Sequence, residues 1–339
     1  MARLVSPHRQ GNQVTFFWQG ETAPQVTGDW NNWDIENAPT LAPIMPGLWA
    51  YTMTMPADAY MEYSFYVDGK HVRDPLNPDT TADGFGHRTS YFYMPEAART
   101  PWITPQPDAP AGTVTRHHVD AGFLAMGKQR LVYLYQPPVT EPCPLLVVFD
   151  GVEYLRRVHL PTIVDNLVAQ GRMQPVALAL LAHGGKTRIN EYACGEMTLD
   201  FIRRQVLPLA QAQLTLLDPE TASGSFGALG SSMGGLMALY TGLRYPTIFG
   251  RVLSQSGAFN VSDHRTVIWP LVSLQEPPPI NIWMDVGRFE RLHPTNLAMY
   301  ELLQTRGYTV SLREGNWSHN FPAWRNAVAD GLMALYPPM

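Results

Sequence analysis

The stretch Gly230-Ser231-Ser232-Met233-Gly234 decides the fold class of this chain, because it has the form G-x-S-x-G of a nucleophile elbow. A short apolar run at 226–229 precedes it, and a helix-like run at 236–244 follows it. In this strand–turn–helix context an elbow projects its central serine above a sheet. Ser232 is therefore the candidate nucleophile, and the N–H of Met233 is a candidate donor to an oxyanion. The alternative interpretation is a Gly/Ser helix cap.

Strand-like and helix-like segments alternate around the elbow from about residue 113 onward, which predicts βαβ units and a mainly parallel sheet. The predicted strands lie at 131–135, 144–149, 175–181, 225–229, 252–256, 280–286 and 309–313. The predicted helices lie at 159–170, 199–216, 296–306 and 321–335. A doubly wound sheet with the elbow in its middle is the layout expected of an α/β hydrolase.

The first 94 residues have a different pattern, in which strand signals alternate with turns and no convincing helix is found. The strand signals lie at 14–18, 25–28, 48–53, 60–67 and 89–93. Asp68-Gly69 is a strong hairpin turn. We therefore predict a small all-β, immunoglobulin-like sandwich at 1–94. Several prolines at 95–112 predict a semi-rigid linker, and Trp102 within it could dock the linker onto a domain. The α/β-hydrolase catalytic domain is predicted at 113–339.

Composition narrows the class of protein. The chain has 339 residues, of which 45% are hydrophobic and 16% charged, so a large core is available. A net charge of −5 argues against a nucleic-acid partner, and no apolar run has the length of a membrane span. Without a visible secretory signal, two cysteines predict reduced thiols in a cytoplasmic protein. No cluster has metal-ligand spacing, so neither a metal nor an organic cofactor is expected.

A catalytic serine needs a base, and the base needs an orienting group. The order of these groups in α/β hydrolases is serine, acid, histidine. His264, His293 and His319 are the histidines that follow Ser232. His319 comes directly after the last predicted strand and is the candidate base, with a surface-loop histidine as the alternative. His264 and His293 have no strand immediately before them and are expected to be surface residues.

Two carboxylates compete for the role of the acid. Glu290 lies in the loop past the strand at 280–286 and is preferred, whereas Asp285 still lies within that strand. A Ser–His pair without an acid is a further alternative. The second oxyanion donor is expected in the turn after the strand at 144–149, from the N–H of Gly151 or Val152, with Asp150 as a turn residue.

Taken in order, several motifs at 113–337 resemble the esterase D and enterochelin esterase group of α/β hydrolases. They are Asp150-Gly151, Arg188-Ile189-Asn190-Glu191-Tyr192, Leu207-Pro208, Gly230-Ser231-Ser232-Met233-Gly234-Gly235, Gly287-Arg288-Phe289-Glu290, Gly315-Asn316-Trp317-Ser318-His319 and Trp324-Arg325. The resemblance implies a triad of Ser232, Glu290 and His319, with Arg188 and Trp324 on the substrate side. An ion pair between Arg188 and Glu191 is the alternative for that arginine.

The first domain resembles the early-set sandwich of glycogen-binding carbohydrate modules. The likeness rests on Val26-Thr27-Gly28-Asp29-Trp30-Asn31-Asn32-Trp33 and on Gly47-Leu48-Trp49. It implies that Trp30, Trp33 or Trp49 could stack on a glucan, although tryptophans in a small sandwich are usually core residues. The sandwich could instead shape the mouth of an active site, which the aromatic segment at 84–87 could reach.

Together these features predict a serine carboxylic-ester hydrolase that works through an acyl-enzyme and is similar to enterochelin or feruloyl esterases. Its substrate would be a small-molecule or acylated-carbohydrate ester, with a siderophore-like or aryl ester preferred. An acyltransferase of the same fold remains an alternative, because water or an alcohol could take the acyl group. A polysaccharide-binding protein with a silent hydrolase domain is the other alternative.

Overall fold

The computed structural model describes residues 4–82, 88–122, 124, 129–262 and 264–338. The chain divides into two compact units. The first, here called the sandwich unit, comprises Met1–Arg99, Gly287–His293 and Glu314–Ala323. The second, here called the sheet unit, comprises Thr100–Val286, Pro294–Arg313 and Trp324–Met339. The segment at 84–87, for which an approach to the active site is predicted, lies outside the described residues.

The sandwich unit contains two antiparallel sheets, with strand orders β1-β2-β5-β4 and β3-β6-β9-β8, and β7 pairs with β6. The strands are β1 (His8–Gln10), β2 (Gln13–Gln19), β3 (Gln25–Gly28), β4 (Ala42–Met45), β5 (Leu48–Thr54), β6 (Tyr60–Val67), β7 (Lys70–Val72), β8 (Thr80–Ala82) and β9 (Arg88–Tyr93). Alternate residues point inward, so Val14 and Phe16 of β2 meet Phe65 and Phe92 in one apolar core. The predicted all-β N-terminal region is therefore confirmed.

The main sheet of the sheet unit has the strand order β10-β11-β13-β12-β14-β15-β18-β19. Its strands are β10 (Thr113–Asp120), β11 (Gln129–Gln136), β12 (Leu145–Val148), β13 (Ala177–Leu181), β14 (Phe226–Ser231), β15 (Phe249–Gln255), β18 (Asn281–Gly287) and β19 (Thr309–Gly315), and β16 (Asn260–Val261) and β17 (His264–Arg265) form a separate hairpin. The pairs from β13 through β12, β14 and β15 to β18 are parallel. This confirms the predicted doubly wound, mainly parallel sheet.

The strand β10 was not predicted, and it pairs antiparallel with β11 at the edge of the sheet. Most of its residues are exposed, so it lacks the apolar run that marks a buried strand. By contrast, every residue of β12 and β13 is buried, which is why their sequences are continuously apolar.

The helices follow the strands as expected for a doubly wound fold. They are α1 (Gly151–Glu153), α2 (Leu160–Ala169), α3 (Arg188–Tyr192), α4 (Glu196–Phe201), α5 (Leu207–Gln213), α6 (Met233–Arg244), α7 (Ile268–Leu274), α8 (His293–Thr305) and α9 (Phe321–Leu335). The single helix predicted at 199–216 is α4 and α5 joined by a π-helical turn at Ile202–Val206. Pro208 follows that turn and lacks the N–H that would continue a regular ladder, which accounts for the irregularity.

The proline-rich segment is fixed to α2 within the sheet unit. The side-chain amide of Asn166 donates to the carbonyl oxygens of Trp102 at 2.6 Å and Thr104 at 2.9 Å. The N–H of Gly112 donates to Asp165 at 3.0 Å. Most of the predicted linker therefore belongs to the sheet unit, which begins at Thr100. Among the described residues, no helix combines the length and the apolar character needed to cross a membrane.

Candidate active site

The turn at Ser232 joins β14 to α6 in a sharply bent backbone conformation. Its φ of 57° and ψ of −122° lie in a region that costs a non-glycine residue on the order of 1–3 kcal/mol. Two backbone hydrogen bonds of 2.9 Å hold the turn, one from the N–H of Ser232 to Gln255 and one from the N–H of Ala258 to the carbonyl oxygen of Ser232. The surrounding structure thus imposes the strand-to-helix bend that defines a nucleophile elbow.

The small residues of the motif are required by space. A Cβ at Gly230 would lie 2.4 Å from the backbone of Gly234, and one at Gly235 would lie 2.8 Å from the Ser254 hydroxyl. Real Cβ atoms essentially never lie this close to another heavy atom, so the strand and the helix can cross at the elbow only where glycine removes the side chain.

The turn after β12 provides a second set of backbone donors beside the elbow. Asp150 has a φ of 52°, in the left-handed region. A Cβ at position 151 would lie 2.3 Å from the backbone of Leu180, so glycine is required at position 151. The N–H groups of Gly151 and Val152 lie in the first turn of α1, where helices leave such donors without intrahelical acceptors.

The elbow and this turn are neighbours at the carboxyl ends of the parallel strands β12 and β14. A Cβ at Gly234 would lie 3.3 Å from Asp150 and 3.1 Å from Phe149. The first-turn donors of α1 and α6, which include the N–H of Met233, can therefore face one developing negative charge.

Arg188 forms a bidentate ion pair with Asp150, with N–O distances of 2.7 and 2.5 Å. Burial opposes the charge of Arg188, but the hydrogen bonds and the charge of Asp150 outweigh it and raise the pKa of the guanidinium. The alternative pairing with Glu191 is wrong, because Glu191 pairs with Arg130 at 2.6 Å. Asp150 is thus more than a turn residue, and a quarter of the Arg188 side chain stays exposed. The predicted role of Arg188 toward a substrate stays a prediction.

In the sandwich unit, the loops after β18 and β19 bring Glu290 and His319 together. Nδ1 of His319 and Oε2 of Glu290 form a hydrogen bond, and Oε1 of Glu290 accepts the N–H of Gly287 at 2.7 Å. The Glu290 side chain is 1% exposed and that of His319 is 34% exposed. A buried carboxylate that orients a partly exposed imidazole is the arrangement that a general base requires.

The other candidates for acid and base have different surroundings. Asp285 is fully buried in the sheet unit, where its Oδ2 accepts the side-chain amide of Gln255 at 2.9 Å. His293 forms a hydrogen bond of 2.6 Å with Glu314, and this bond lowers the pKa of Glu314. His264 lies in the exposed hairpin strand β17. These positions agree with a structural Asp285 and with surface histidines.

The aromatic residues predicted to meet ligands are mainly engaged in packing. Trp324 is 4% exposed and donates to the Ser256 hydroxyl at 2.9 Å, which favours a structural role over the predicted substrate contact. Trp30 packs against Phe16 with ring centroids 5.3 Å apart, and Trp49 lies against the same core. Trp33 donates to Asp29 at 3.1 Å. Trp30 and Trp49 are thus partly buried against the core, whereas Trp33 is held by its hydrogen bond to Asp29.

Three comparisons with known proteins agree with this architecture. A protein-family model described as "Putative esterase" matches residues 124–334, which is more than half of the chain. This chain belongs to the esterase family. The iron(III) enterobactin esterase of Dickeya dadantii (strain 3937) is 32% identical over 293 residues, which cover 78% of this chain and 65% of that protein. The chain therefore spans about two thirds of the length of that relative.

Two solved structures share the fold of this esterase-family chain. The ferric enterobactin esterase of Salmonella typhimurium has a TM-score of 0.80 and 23% identity, covering 96% of this chain and 94% of that chain. The enterobactin esterase of Shigella flexneri, solved in the presence of enterobactin, has a TM-score of 0.79 and 21% identity, covering 96% and 93%. The predicted resemblance to the enterochelin esterase group is thereby confirmed. Among the described residues, no group of three or more His, Cys, Asp or Glu side chains is placed to hold a metal ion.

Proposed function

We propose that this chain is a serine carboxylic-ester hydrolase, with Ser232 as nucleophile, His319 as base and Glu290 as the orienting acid. The observation that carries the proposal is the bent backbone at Ser232 in a chain of the esterase family. A serine held in this turn, beside two helix starts that present N–H groups, is suited to attack a carbonyl and to stabilise the resulting oxyanion. The hydrogen bond of Glu290 with His319 supports the assignment of the base.

The proposed reaction has two steps. Oγ of Ser232 attacks the ester carbonyl while Nε2 of His319 takes its proton, and the N–H groups of Met233 and of Gly151 or Val152 hold the oxyanion. The tetrahedral intermediate collapses, His319 gives the proton to the departing alcohol, and an acyl-enzyme remains. Water then attacks the acyl carbon as His319 accepts its proton, and the free acid leaves as Ser232 recovers its proton.

For the substrate, we propose a siderophore ester of the enterobactin type. This extension is supported by the relative of Dickeya dadantii, named an iron(III) enterobactin esterase, and by the fold shared with the enterobactin esterase of Shigella flexneri. A feruloyl or acylated-carbohydrate ester is the competing class. We place the reaction in the cytoplasm, since Cys143 and Cys194 are both free thiols.

The first experiment is covalent labelling with a fluorophosphonate, followed by mass mapping of the modified peptide. Label is expected on Ser232, and Ser232→Ala should abolish both labelling and hydrolysis of a p-nitrophenyl ester. Ser231→Ala is the matched control, since it removes the adjacent buried hydroxyl and should still label at Ser232. Turnover that survives in Ser232→Ala would contradict the proposed nucleophile.

The second experiment identifies the substrate. Enterobactin with and without iron, feruloyl esters, acetylated sugars and short p-nitrophenyl esters are compared by kcat/KM, and products are analysed with and without an added alcohol. The highest kcat/KM for enterobactin, with free acid as the product, is expected. A preference for another ester would overturn the substrate class, and transfer to the alcohol in place of water would identify an acyltransferase.

A further inference from the structure

Asp29 is a buried carboxylate of the sandwich unit that the proposed reaction does not use. It lies on the short 3₁₀ turn Asp29–Asn31 after β3 and is 5% exposed. Its Oδ1 accepts the indole N–H of Trp33 at 3.1 Å, and its Oδ2 accepts the backbone N–H of Glu62 at 2.8 Å. These two donors belong to the β-sandwich itself, so they fix the carboxylate to that framework.

The same carboxylate also contacts the segment that carries His319 within the sandwich unit. Oδ2 of Asp29 accepts the side-chain N–H of Asn320, the residue directly after His319, at 3.2 Å. The hydroxyl of Ser318, the residue before His319, donates at 2.8 Å to the carbonyl oxygen of Phe289, which is the residue directly before Glu290. One carboxylate therefore connects the sandwich to the segment that carries the imidazole, and Ser318 connects that segment to the acid.

Further contacts bind these loops to the sandwich. The side-chain amide of Asn316 donates to Asp58 at 2.7 Å. The backbone carbonyl oxygen of Asn316 accepts the N–H of Tyr60 at 3.0 Å. Phe289 packs against the apolar core of the sandwich. Of these anchors, Asp29 is a buried carboxylate whose side chain contacts the residue directly after His319.

We propose that Asp29 is a positioning residue for the acid–base pair: anchored by Trp33 and Glu62, it holds Asn320 and so keeps the imidazole of His319 against Glu290. The effect on catalysis rests on the proposed function of His319. Burial raises the pKa of Asp29 to about 7, with the charge of Glu290 as a smaller contribution. A carboxylate kept in so unfavourable a place is typical of functional positions.

The test compares Asp29→Ala with a matched control from the same sandwich. Asp74 is also a buried carboxylate, 2% exposed, and it accepts the hydroxyl of Tyr63 at 2.6 Å within the sandwich. Asp74→Ala should lower the melting temperature but change kcat less than threefold in the folded protein. Asp29→Ala should lower kcat 10- to 100-fold with KM changed less than threefold, since it displaces the base without touching the substrate.

A second variant, Asn320→Asp, breaks the contact from the other side. The side-chain oxygen of Asn320 caps α9 by accepting the N–H of Ala323 at 2.9 Å, and an aspartate retains that cap. It removes the donor to Asp29 and should lower kcat by a similar factor. In the double variant the two effects should not add, because both remove one interaction. If Asp29→Ala does not fold, the kcat of Asn320→Asp alone tests the positioning role of Asp29.

His319→Ala separates this proposal from the proposed function. If His319→Ala retains turnover, the assignment of the base fails. If His319→Ala is inactive while Asn320→Asp, or a folded Asp29→Ala, keeps kcat within threefold of the parent, the positioning role of Asp29 is overturned. Fully additive effects of the two variants on kcat, or an equal loss of kcat in Asp74→Ala, would overturn it as well.

Discussion

Glu290→Gln is the substitution that most directly tests how the base is oriented. The glutamine oxygen can still accept the N–H of Gly287, which lies 2.7 Å from Oε1 in the parent. Its NH₂ group then faces Nδ1 of His319, where the carboxylate accepted a hydrogen bond from the imidazole N–H. The imidazole must present a lone pair at Nδ1, so its proton moves to Nε2. A histidine in that tautomer cannot take the proton of the serine.

The size of the effect follows from the tautomer. The corresponding carboxylate-to-amide change in a Ser-His-Asp triad lowers kcat by about 10⁴, which is about 5.5 kcal/mol at 1.36 kcal/mol per factor of ten. We expect a loss of the same order, with KM changed less than threefold, because Glu290 is buried and does not meet the substrate. The volume of the side chain is conserved, so folding should be nearly unaffected.

The assay is steady-state hydrolysis of a p-nitrophenyl ester together with the rate of fluorophosphonate labelling, and thermal melting checks the fold. Asp285→Asn is measured in parallel, since Asp285 is the alternative acid and is engaged with Gln255. It should change kcat less than tenfold in the folded protein. A loss of about 10⁴ in Asp285→Asn with an active Glu290→Gln would refute the reasoning. If neither variant loses activity, the enzyme works with a Ser–His pair.

Three further predictions concern the backbone donors, the ion pair and the buried acid. Gly151→Ala should lower kcat at least tenfold in steady-state assays, since its Cβ would lie 2.3 Å from the backbone of Leu180; an unchanged kcat would exclude this turn from the oxyanion site. Arg188→Met should lower the free energy of unfolding, measured in urea, by about 3–5 kcal/mol, because it leaves the buried carboxylate of Asp150 without its charged partner. Adding Asp150→Asn should recover part of the loss, and equal stability of parent and Arg188→Met would contradict this prediction. Burial raises the pKa of Asp29 from 3.8 to about 7, so between these values the folded chain holds a proton that the unfolded chain has lost, and the contribution of Asp29 to the free energy of unfolding falls as the pH rises from 4 to 7. Asp29→Asn should lose this part of the pH dependence in urea titrations, and identical pH slopes in parent and variant would contradict it.

The sandwich unit has a direct bearing on the proposed chemistry, because the loops with Glu290 and His319 belong to it. The sequence predicts a separate N-terminal domain that ends near residue 94, and the strand pattern there is confirmed. The loops come from 287–293 and 314–323, far along the chain, and the second is held by Asp29, Asp58 and Tyr60. A resemblance to carbohydrate modules gives no hint of this use, since it concerns exposed aromatic rings.

Short-range patterns were enough to predict the fold and the elbow. Buried parallel strands require continuous apolar runs, and the runs in β12 and β13 are visible in the sequence without any partner. The bend at Ser232 requires glycines at fixed offsets, so the motif itself specifies the turn. In both cases the constraint acts within about ten residues, and the order of residues along the chain contains it.

Only the tertiary structure decided which charged groups meet. Arg188 pairs with Asp150, 38 residues away, and leaves its near neighbour Glu191 to Arg130, because packing of the loops against the sheet sets the partners. In the same way Asp29 meets Asn320 across 291 positions. A carboxylate carries no sequence signal that names its partner, since burial and charge depend on atoms that folding alone brings together.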